Sequence, residues 1–597
     1  NFMKLASIFT DNMIFRRNAD IRIFGTCRKG EKISAQIGES RAEIVAKDEK
    51  FLITLGAVGV GRDYTLTVTG DNEVVINNVG IGEVFIAAGQ SNMEMPLSAT
   101  NDCMSELKTA EKYDIRFFTV PRRPMPGYDT IGWPFKEVEC VDKPWRNADF
   151  DNGLDLSAVG FHFAKRFAED IDVPIGIIEC NWGGTSVFQW LDENEMLNAD
   201  DSICDVKELI NIKNANKTEE YYQKAVEYEK LREKLCRITP DGGTVGFPEI
   251  KGVTDRTNPY NPSAYGALYE SMFKTIIPFN VSAMLWYQGE SDRNYPNPNI
   301  KARYKTGFRM LENTWRRDLL NPEMPIFTVQ IAPFDYARWE GKHEVCLSAE
   351  IRCAQDELSH DDNVYMISIG DSGEMCDIHP RNKSVVGKRL ANCALSVLYS
   401  ADIAWKSPRF NRAVRKDGVI RVYFDDTYGG LLTNQSPILN MELKHGDKWK
   451  PVMFWIENDF VYTDIEKESE LSDLLITRMS ALRYSDYVDK ADVVISFSYI
   501  FYFSLAGGLV IICSLFNYLT LFISRLCMRN REMALRKVNG ASNKALSVQF
   551  AIELLLLLCI ALIGGLLLVE MSMSRFLNFT QIESSSYYGE ILIYLLA

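Results

Sequence analysis

From Asp20 to Val79 short runs alternate apolar and polar residues: Ile21 to Phe24, Lys32 to Ile37, Phe51 to Leu55, Tyr64 to Val68 and Val74 to Val79. Turn residues such as Gly70-Asp71-Asn72 separate them. A period of two marks strands with one covered face, so the pattern predicts an antiparallel β domain, a sandwich, over residues 1–80. After Gly82 the rhythm changes. Near-continuous apolar runs at Val84 to Ala88, Pro174 to Cys180, Val281 to Tyr287, Pro325 to Ile331 and Val364 to Ile369 are separated by stretches of helical period. Those stretches are Ser157 to Asp170, Leu268 to Ile276, Ile300 to Arg317 and Val386 to Tyr399. Strands buried on both faces and alternating with helices predict an α/β core over 81–405, a mostly parallel sheet covered on both sides. Thr218 to Cys236 reads as a charged helix with a solvated face, inside an insertion at about 195–258. Strand-like runs return over 406–465, among them Val419 to Phe424 and Val452 to Ile456, and predict a second β segment packed on the core.

The last stretch, 466–597, follows a different pattern. From Tyr499 to Ile523 the only strongly polar residue is Asn517, and a second apolar run extends from about Phe550 to Val569 with one charge, Glu553, near its start. Each is long enough to cross a bilayer as a helix, which takes roughly 20 apolar residues. A third run begins at about Tyr587. Between the first two lie Arg525, Arg529, Arg531, Arg536, Lys537 and Lys544 against the single acid Glu532. The positive-inside rule places that connection in the cytoplasm and the large N-terminal part outside. Such a placement calls for an export leader, and the first 20 residues, interrupted by Asp11, Arg16 and Arg17, do not form one.

Composition narrows the partners. At 597 residues the chain calls for two to four domains. A net charge of -14, with no Lys/Arg cluster before residue 525, excludes nucleic acid as the expected partner. The 13 cysteines are scattered without C-x-x-C spacing, so no zinc site and no dense disulfide framework is indicated.

In an open parallel sheet, ligands bind at the carboxyl ends of the strands. Here those ends carry Gln90-Ser91, Asn181-Trp182-Gly183-Gly184-Thr185, Gln288-Gly289-Glu290-Ser291-Asp292 and the segment Asp371 to His379. Ser91, in Gly89-Gln90-Ser91-Asn92-Met93, stands at a strand-to-loop turn where a nucleophile is exposed. A serine hydroxyl needs a base, an orienting acid and oxyanion donors. Of five histidines, His162 lies in an apolar helix, His343 and His445 in charged surface-like segments, and His360 at the wrong end of the last strand. His379 alone follows the rim and is the expected base. Asp377, two residues away, and Glu290, from the neighbouring strand end, compete as the orienting acid, with Asp371 and Asp292 as weaker choices. The Ser91 and Gly184 N–H groups and the Gln288 side chain are the expected oxyanion donors. Trp182, Trp190, Trp286 and Tyr287 are placed either to stack on a sugar ring or to fill the core.

Residues 5 to about 460 resemble the sialate O-acetylesterase family of SGNH-type carbohydrate esterases. The resemblance rests on Gly-Gln-Ser-Asn-Met-Glu-Met-Pro (89–96), Trp-Gly-Gly-Thr (182–185), Trp-Tyr-Gln-Gly-Glu-Ser (286–291) and Asp-Ile-His-Pro-Arg-Asn-Lys (377–383). It implies an SGNH-hydrolase-like three-layer core flanked by β segments, and a serine esterase that removes O-acetyl groups from sialic acids or related glycans. Ser91 would be the nucleophile and His379 the base, with no metal or other cofactor. One departure stands out: the acid commonly lies three residues before the histidine, and that position here is Cys376. From about Leu471 the chain resembles the FtsX/MacB-like ABC transporter permeases, through Arg-Glu-Met-Ala-Leu-Arg-Lys-Val-Asn-Gly-Ala-Ser (531–542) followed by Glu553-Leu554-Leu555. That resemblance implies a permease fragment; where it meets an esterase cut short near Phe460 the junction reads as a gene fusion or as an assembly error, and the basic stretch either lies beside an ABC nucleotide-binding subunit or merely fixes the topology of the helices in the bilayer. The esterase would then be anchored outside the membrane; without the tail it would be secreted or periplasmic. The competing reading is a permease-type membrane protein whose outer domain only binds glycans.

Overall fold

The computed structural model describes residues 3–464 apart from 102, 123–142, 236, 239–243, 246–249, 294–298, 335–346, 375–376, 417–418, 432–437, 446–447 and 459. Beyond 464 it describes only Arg536, Lys537, Ser542, Lys544, Val548, Ala551 and Ile552. The chain divides into two compact units, residues 1–442 with 451–471, and residues 443–450 with 472–597. Among the described residues no helix is long and apolar enough to cross a membrane. The predicted spans at 499–523 and 550–569 lie outside the described residues except for Ala551 and Ile552, as does the third run from 587.

One strand organises the first unit. Glu73–Gly89 is exposed and buried by turns as far as Asn78, then buried without interruption from Val79 to Gly89. Its first half pairs antiparallel with Gly61–Thr69, and its second half pairs parallel with Ile175–Asn181 on one side and Ala283–Tyr287 on the other. The expected boundary at residue 80 is therefore corrected: the β domain and the α/β core share this strand and a mixed 11-stranded sheet. The physical reason is the change in cover, one face in the antiparallel half and two in the parallel half. In the N-terminal region Lys4–Leu5, Ile21–Thr26 and Lys50–Leu55 form a separate three-stranded sheet. Its Ile23, Ile53 and Leu55 share an apolar cluster with Ile33, Ile37, Leu66 and Val68 of the large sheet.

The core strands run in the order Ile115–Thr119, Ile175–Asn181, Glu73–Gly89, Ala283–Tyr287, Ile326–Val329, Val364–Ile367, all parallel. Ile115–Thr119 was not anticipated, nor was the antiparallel edge pair Arg146–Asn147. Side chains alternate across this sheet. Val84, Ile86, Ala88, Met284 and Trp286 join one cluster with Phe308, Leu311, Trp315 and Ile351, from the helices Ile300–Asp318 and Leu347–Leu358. Phe85, Ala87, Leu285, Tyr287 and Phe327 join another with Phe163, Phe167 and Leu390, from the helices Ala158–Ala168 and Lys383–Tyr399. The rings of Phe85, Phe163 and Phe167 meet at centroid distances of 4.7 to 5.6 Å, and each such buried aromatic contributes about 1.5–3 kcal/mol. Ser157 starts the first of these helices by accepting the Gly160 N–H.

The insertion contains Cys204–Ala215 and Glu219–Leu235, the second close to its expected bounds. In the second β segment Arg409–Lys416, Val419–Asp425 and Phe460–Asp464 pair antiparallel in that order.

Candidate active site

From the central strand Glu73–Gly89 the chain passes to Ile115–Thr119 and back to Ile175–Asn181 on one side, and later crosses to Ala283–Tyr287 on the other. The central strand is thus the topological switch point, where a crevice opens at the carboxyl ends. Ser91 stands there. Gly89 makes the turn with φ of 138°, and a Cβ on it would fall 2.1 Å from the Tyr287 carbonyl oxygen, so only glycine fits. Gln90 continues the turn: its Oε1 accepts the N–H of Ser291 at 3.1 Å and of Gly289 at 3.3 Å, tying two strand ends together.

His379 reaches Ser91 from the loop between Val364–Ile367 and Lys383–Tyr399. Its Nε2 lies 2.8 Å from Ser91 Oγ, the geometry for a base taking the hydroxyl proton. The loop is curled by Asp377, whose Oδ1 accepts the His379 backbone N–H at 2.9 Å and whose own N–H donates to the Glu374 carbonyl at 3.1 Å. Among the described residues no carboxylate bonds to the other ring nitrogen. Burial pushes the His379 imidazole below its ordinary pKa, and the Lys383 cation adds to that; Asp377 and Glu94 oppose both.

Glu290 does not contact the histidine, and this corrects its expected place. Its Oε1 accepts from Nδ2 of Asn92, the asparagine beside the nucleophile, at 2.6 Å. Burial raises the Glu290 pKa. Asp371 pairs with Arg389 at the surface. Asp292 is fully buried and binds Ser186, Val187, Gln288 and Arg303, none of them the base.

Of the three expected oxyanion donors, two are free to serve. The Ser91 and Gly184 N–H groups donate to no acceptor among the described residues. Their loops touch: a Cβ added to Gly183 would lie 3.4 Å from Ser91 Cβ. Gln288 is corrected. It is fully buried, and its Nε2 donates to Asp292 at 2.6 Å and to the Thr185 carbonyl at 2.9 Å, which engages both amide hydrogens. Trp286, Tyr287 and Trp190 are also buried and fill the core, Trp286 beside Trp315 at 6.2 Å between ring centroids. Trp182 alone of the four aromatics is partly exposed, with the Arg122 guanidinium 4.6 Å from its ring centroid. Glu94 links this rim together, accepting the Gly183 N–H and pairing with Arg122.

His162 is buried in its helix, and desolvation lowers its pKa to about 4. His343 lies outside the described residues. Sequence reasoning missed Asn92, Lys383 and Glu94, although all three belong to or adjoin the motifs that gave Ser91 and His379. Among the described residues no group of three His, Cys, Asp or Glu side chains could hold a metal ion.

Comparison with known proteins gives two separate matches. Residues 245–396 match the family described as carbohydrate esterase, sialic acid-specific acetylesterase, a segment that contains Glu290 and His379 but not Ser91. Residues 504–597 match the FtsX-like permease C-terminal family. Sialate O-acetylesterase of Homo sapiens is 20% identical over 332 residues, 52% of this chain and 53% of its own length. The Mus musculus protein of the same name is 24% identical over 359 residues, 54% of this chain and 58% of its own length. The chain thus spans little more than half the length of the curated relatives it matches. Among solved structures, a carbohydrate acetylesterase from Xanthomonas citri shares the fold with a TM-score of 0.59 at 24% identity, covering 77% of this chain and 90% of that one.

Proposed function

We propose that the described α/β core is an SGNH-type serine esterase that removes O-acetyl groups from sialic acids or related glycans. The single observation that carries this reading is the 2.8 Å approach of His379 Nε2 to Ser91 Oγ at the switch point of the sheet. In the first step His379 takes the Ser91 proton as Oγ attacks the acetyl carbonyl. The Ser91 and Gly184 N–H groups hold the oxyanion, each such donor contributing about 10²–10³-fold. The ester C–O bond then breaks, and the sugar oxygen leaves with the proton from the imidazolium. Water, deprotonated by the same histidine, attacks the acetyl-enzyme; acetate leaves and Ser91 regains its proton. Asp377 holds the loop and its charge favours the imidazolium formed in each step.

The deciding experiment measures acetate release from O-acetylated sialoglycans beside acetylated xylan. Release from the sialoglycan is expected to be the faster; no release from either ends the reading. A pure glycan-binding domain would have no use for the Ser91–His379 contact. The tail, through its permease match at 504–597 and its basic loop, would anchor the esterase outside a membrane and offer a surface to an ABC nucleotide-binding subunit. Extraction of the full chain from membranes by alkaline carbonate would contradict that anchoring.

Two further results are expected. The base works only when neutral, and the His379 pKa lies below the ordinary 6.5. Activity should therefore persist below that pH and be lost only as pH falls through the depressed value. The acid limb of kcat/KM, which reports the free enzyme, reads this directly, and a midpoint above about 6.5 would contradict it. Trp182→Ala should raise KM by about 10-fold with kcat nearly unchanged, since a sugar-stacking face contributes to ground and transition state alike. An unchanged KM would remove Trp182 from the substrate site.

A further inference from the structure

Beside the serine and histidine lies a second, wholly buried polar group that the proposed chemistry does not use. Lys383, the first residue of the helix Lys383–Tyr399, is 1% exposed, and Asn92, the neighbour of Ser91, is equally buried. Lys383 Nζ donates to Asn92 Oδ1 at 2.6 Å. Asn92 Nδ2 in turn donates to Glu290 Oε1 at 2.6 Å and to the Ile378 carbonyl at 3.0 Å. Ile378 is the residue before His379.

We propose that Lys383, acting through Asn92, is a positioning residue that holds the histidine loop against the nucleophile turn. The consequence for catalysis rests on the esterase reading above; the geometry does not. An asparagine amide has two orientations, and a lysine ammonium can only donate. Lys383 therefore fixes Oδ1 toward itself and leaves Nδ2 facing two acceptors, Glu290 and the Ile378 carbonyl. Without the lysine the buried Asn92 Oδ1 loses its donor, and the asparagine that ties the backbone beside His379 to the residue beside Ser91 is held less firmly. Among the described residues Glu290 Oε2 has no hydrogen-bond partner, so Asn92 is the carboxylate's side-chain hold.

The same cation acts on the base. The charged groups facing His379 are Lys383, Asp377 and Glu94, the last paired with Arg122; those facing Lys383 are Glu290, Asp377 and Glu374. Lys383 also lies 5.5 Å from the Tyr287 ring centroid. Burial lowers the Lys383 pKa to about 8, so at neutral pH it is still largely charged and opposes protonation of the imidazole.

The test uses the full chain and two readouts: the rate at which a fluorophosphonate labels Ser91, and acetate release. Lys383→Met should slow labelling and lower kcat by about 10²-fold, the scale of an ångström-level misplacement, with KM within about twofold. The pH midpoint of labelling should also rise, because the cation is gone. Lys383→Gln keeps a donor for Asn92 Oδ1 without charge; it should recover most of the rate while leaving the midpoint raised. Folded Lys383→Met with the wild-type rate and midpoint overturns the proposal, and so does a Lys383→Gln variant with an unmoved midpoint should the methionine variant not fold. Labelling of the wild type without acetate release would instead reject the esterase reading and leave the positioning role standing.

Discussion

Ser91→Ala is expected to lower acetate release by at least about 10⁴-fold, with secondary structure and thermal stability unchanged. The size follows from what is lost. The alanine variant cannot form the acetyl-enzyme, so only water attack assisted by the remaining donors and binding contacts survives, and serine hydrolases stripped of their nucleophile lose several orders of magnitude. The stability expectation follows from the structure. The Ser91 and His379 side chains are both partly exposed, so the histidine nitrogen that loses the hydroxyl can turn to water and no fully buried group is stranded. Ser91 N–H and its place at the start of the helix Ser91–Glu94 are backbone features that alanine keeps. Loss of activity with an intact melting profile is therefore the signature of a nucleophile. Equal acetate release in variant and wild type would sink the mechanism.

Much of this site is legible in the sequence because its chemistry sits in the segments that follow strand ends. Ser91, Gly184 and His379 each follow an apolar run, and the parallel order of those runs brings them to one rim. The departures have separate causes. Trp286 and Tyr287 belong to the strand Ala283–Tyr287, and strand alternation sends them to opposite faces, both covered by helices. Residues inside such a strand are core; only those beyond its end can meet a ligand, and even Gln288, the first beyond, is drawn inward by Asp292. Glu290 was misread for a different reason. Sequence position puts it on a neighbouring strand end but cannot show that its carboxylate is taken up by Asn92. The boundary expected at residue 80 rests on a change of hydrophobic period, and one strand, Glu73–Gly89, passes through that change.

Asp292→Ala should be the most destabilising single change at this rim, by about 3–5 kcal/mol, the scale for removing one member of a buried ion pair. Asp292 and Arg303 side chains are 0% and 1% exposed and lie 3.2 Å apart. The carboxylate also accepts Ser186 Oγ at 2.6 Å, the Val187 N–H at 3.0 Å and Gln288 Nε2 at 2.6 Å. Arg303 would keep Asp205 and Tyr265 as partners, but three other buried donors would lose theirs at once. Asp292→Asn preserves volume, yet an amide offers one acceptor oxygen and turns its NH₂ toward donors, so it too should melt below wild type. Activity should fall in both variants, because Asp292 joins the segment after Gly184 to the one after Tyr287. Thermal unfolding separates this role from that of an orienting acid. A structural hub lowers the melting temperature and activity together, whereas a catalytic carboxylate lowers kcat in a protein of wild-type stability. The second outcome would return Asp292 to contention as the acid that serves His379.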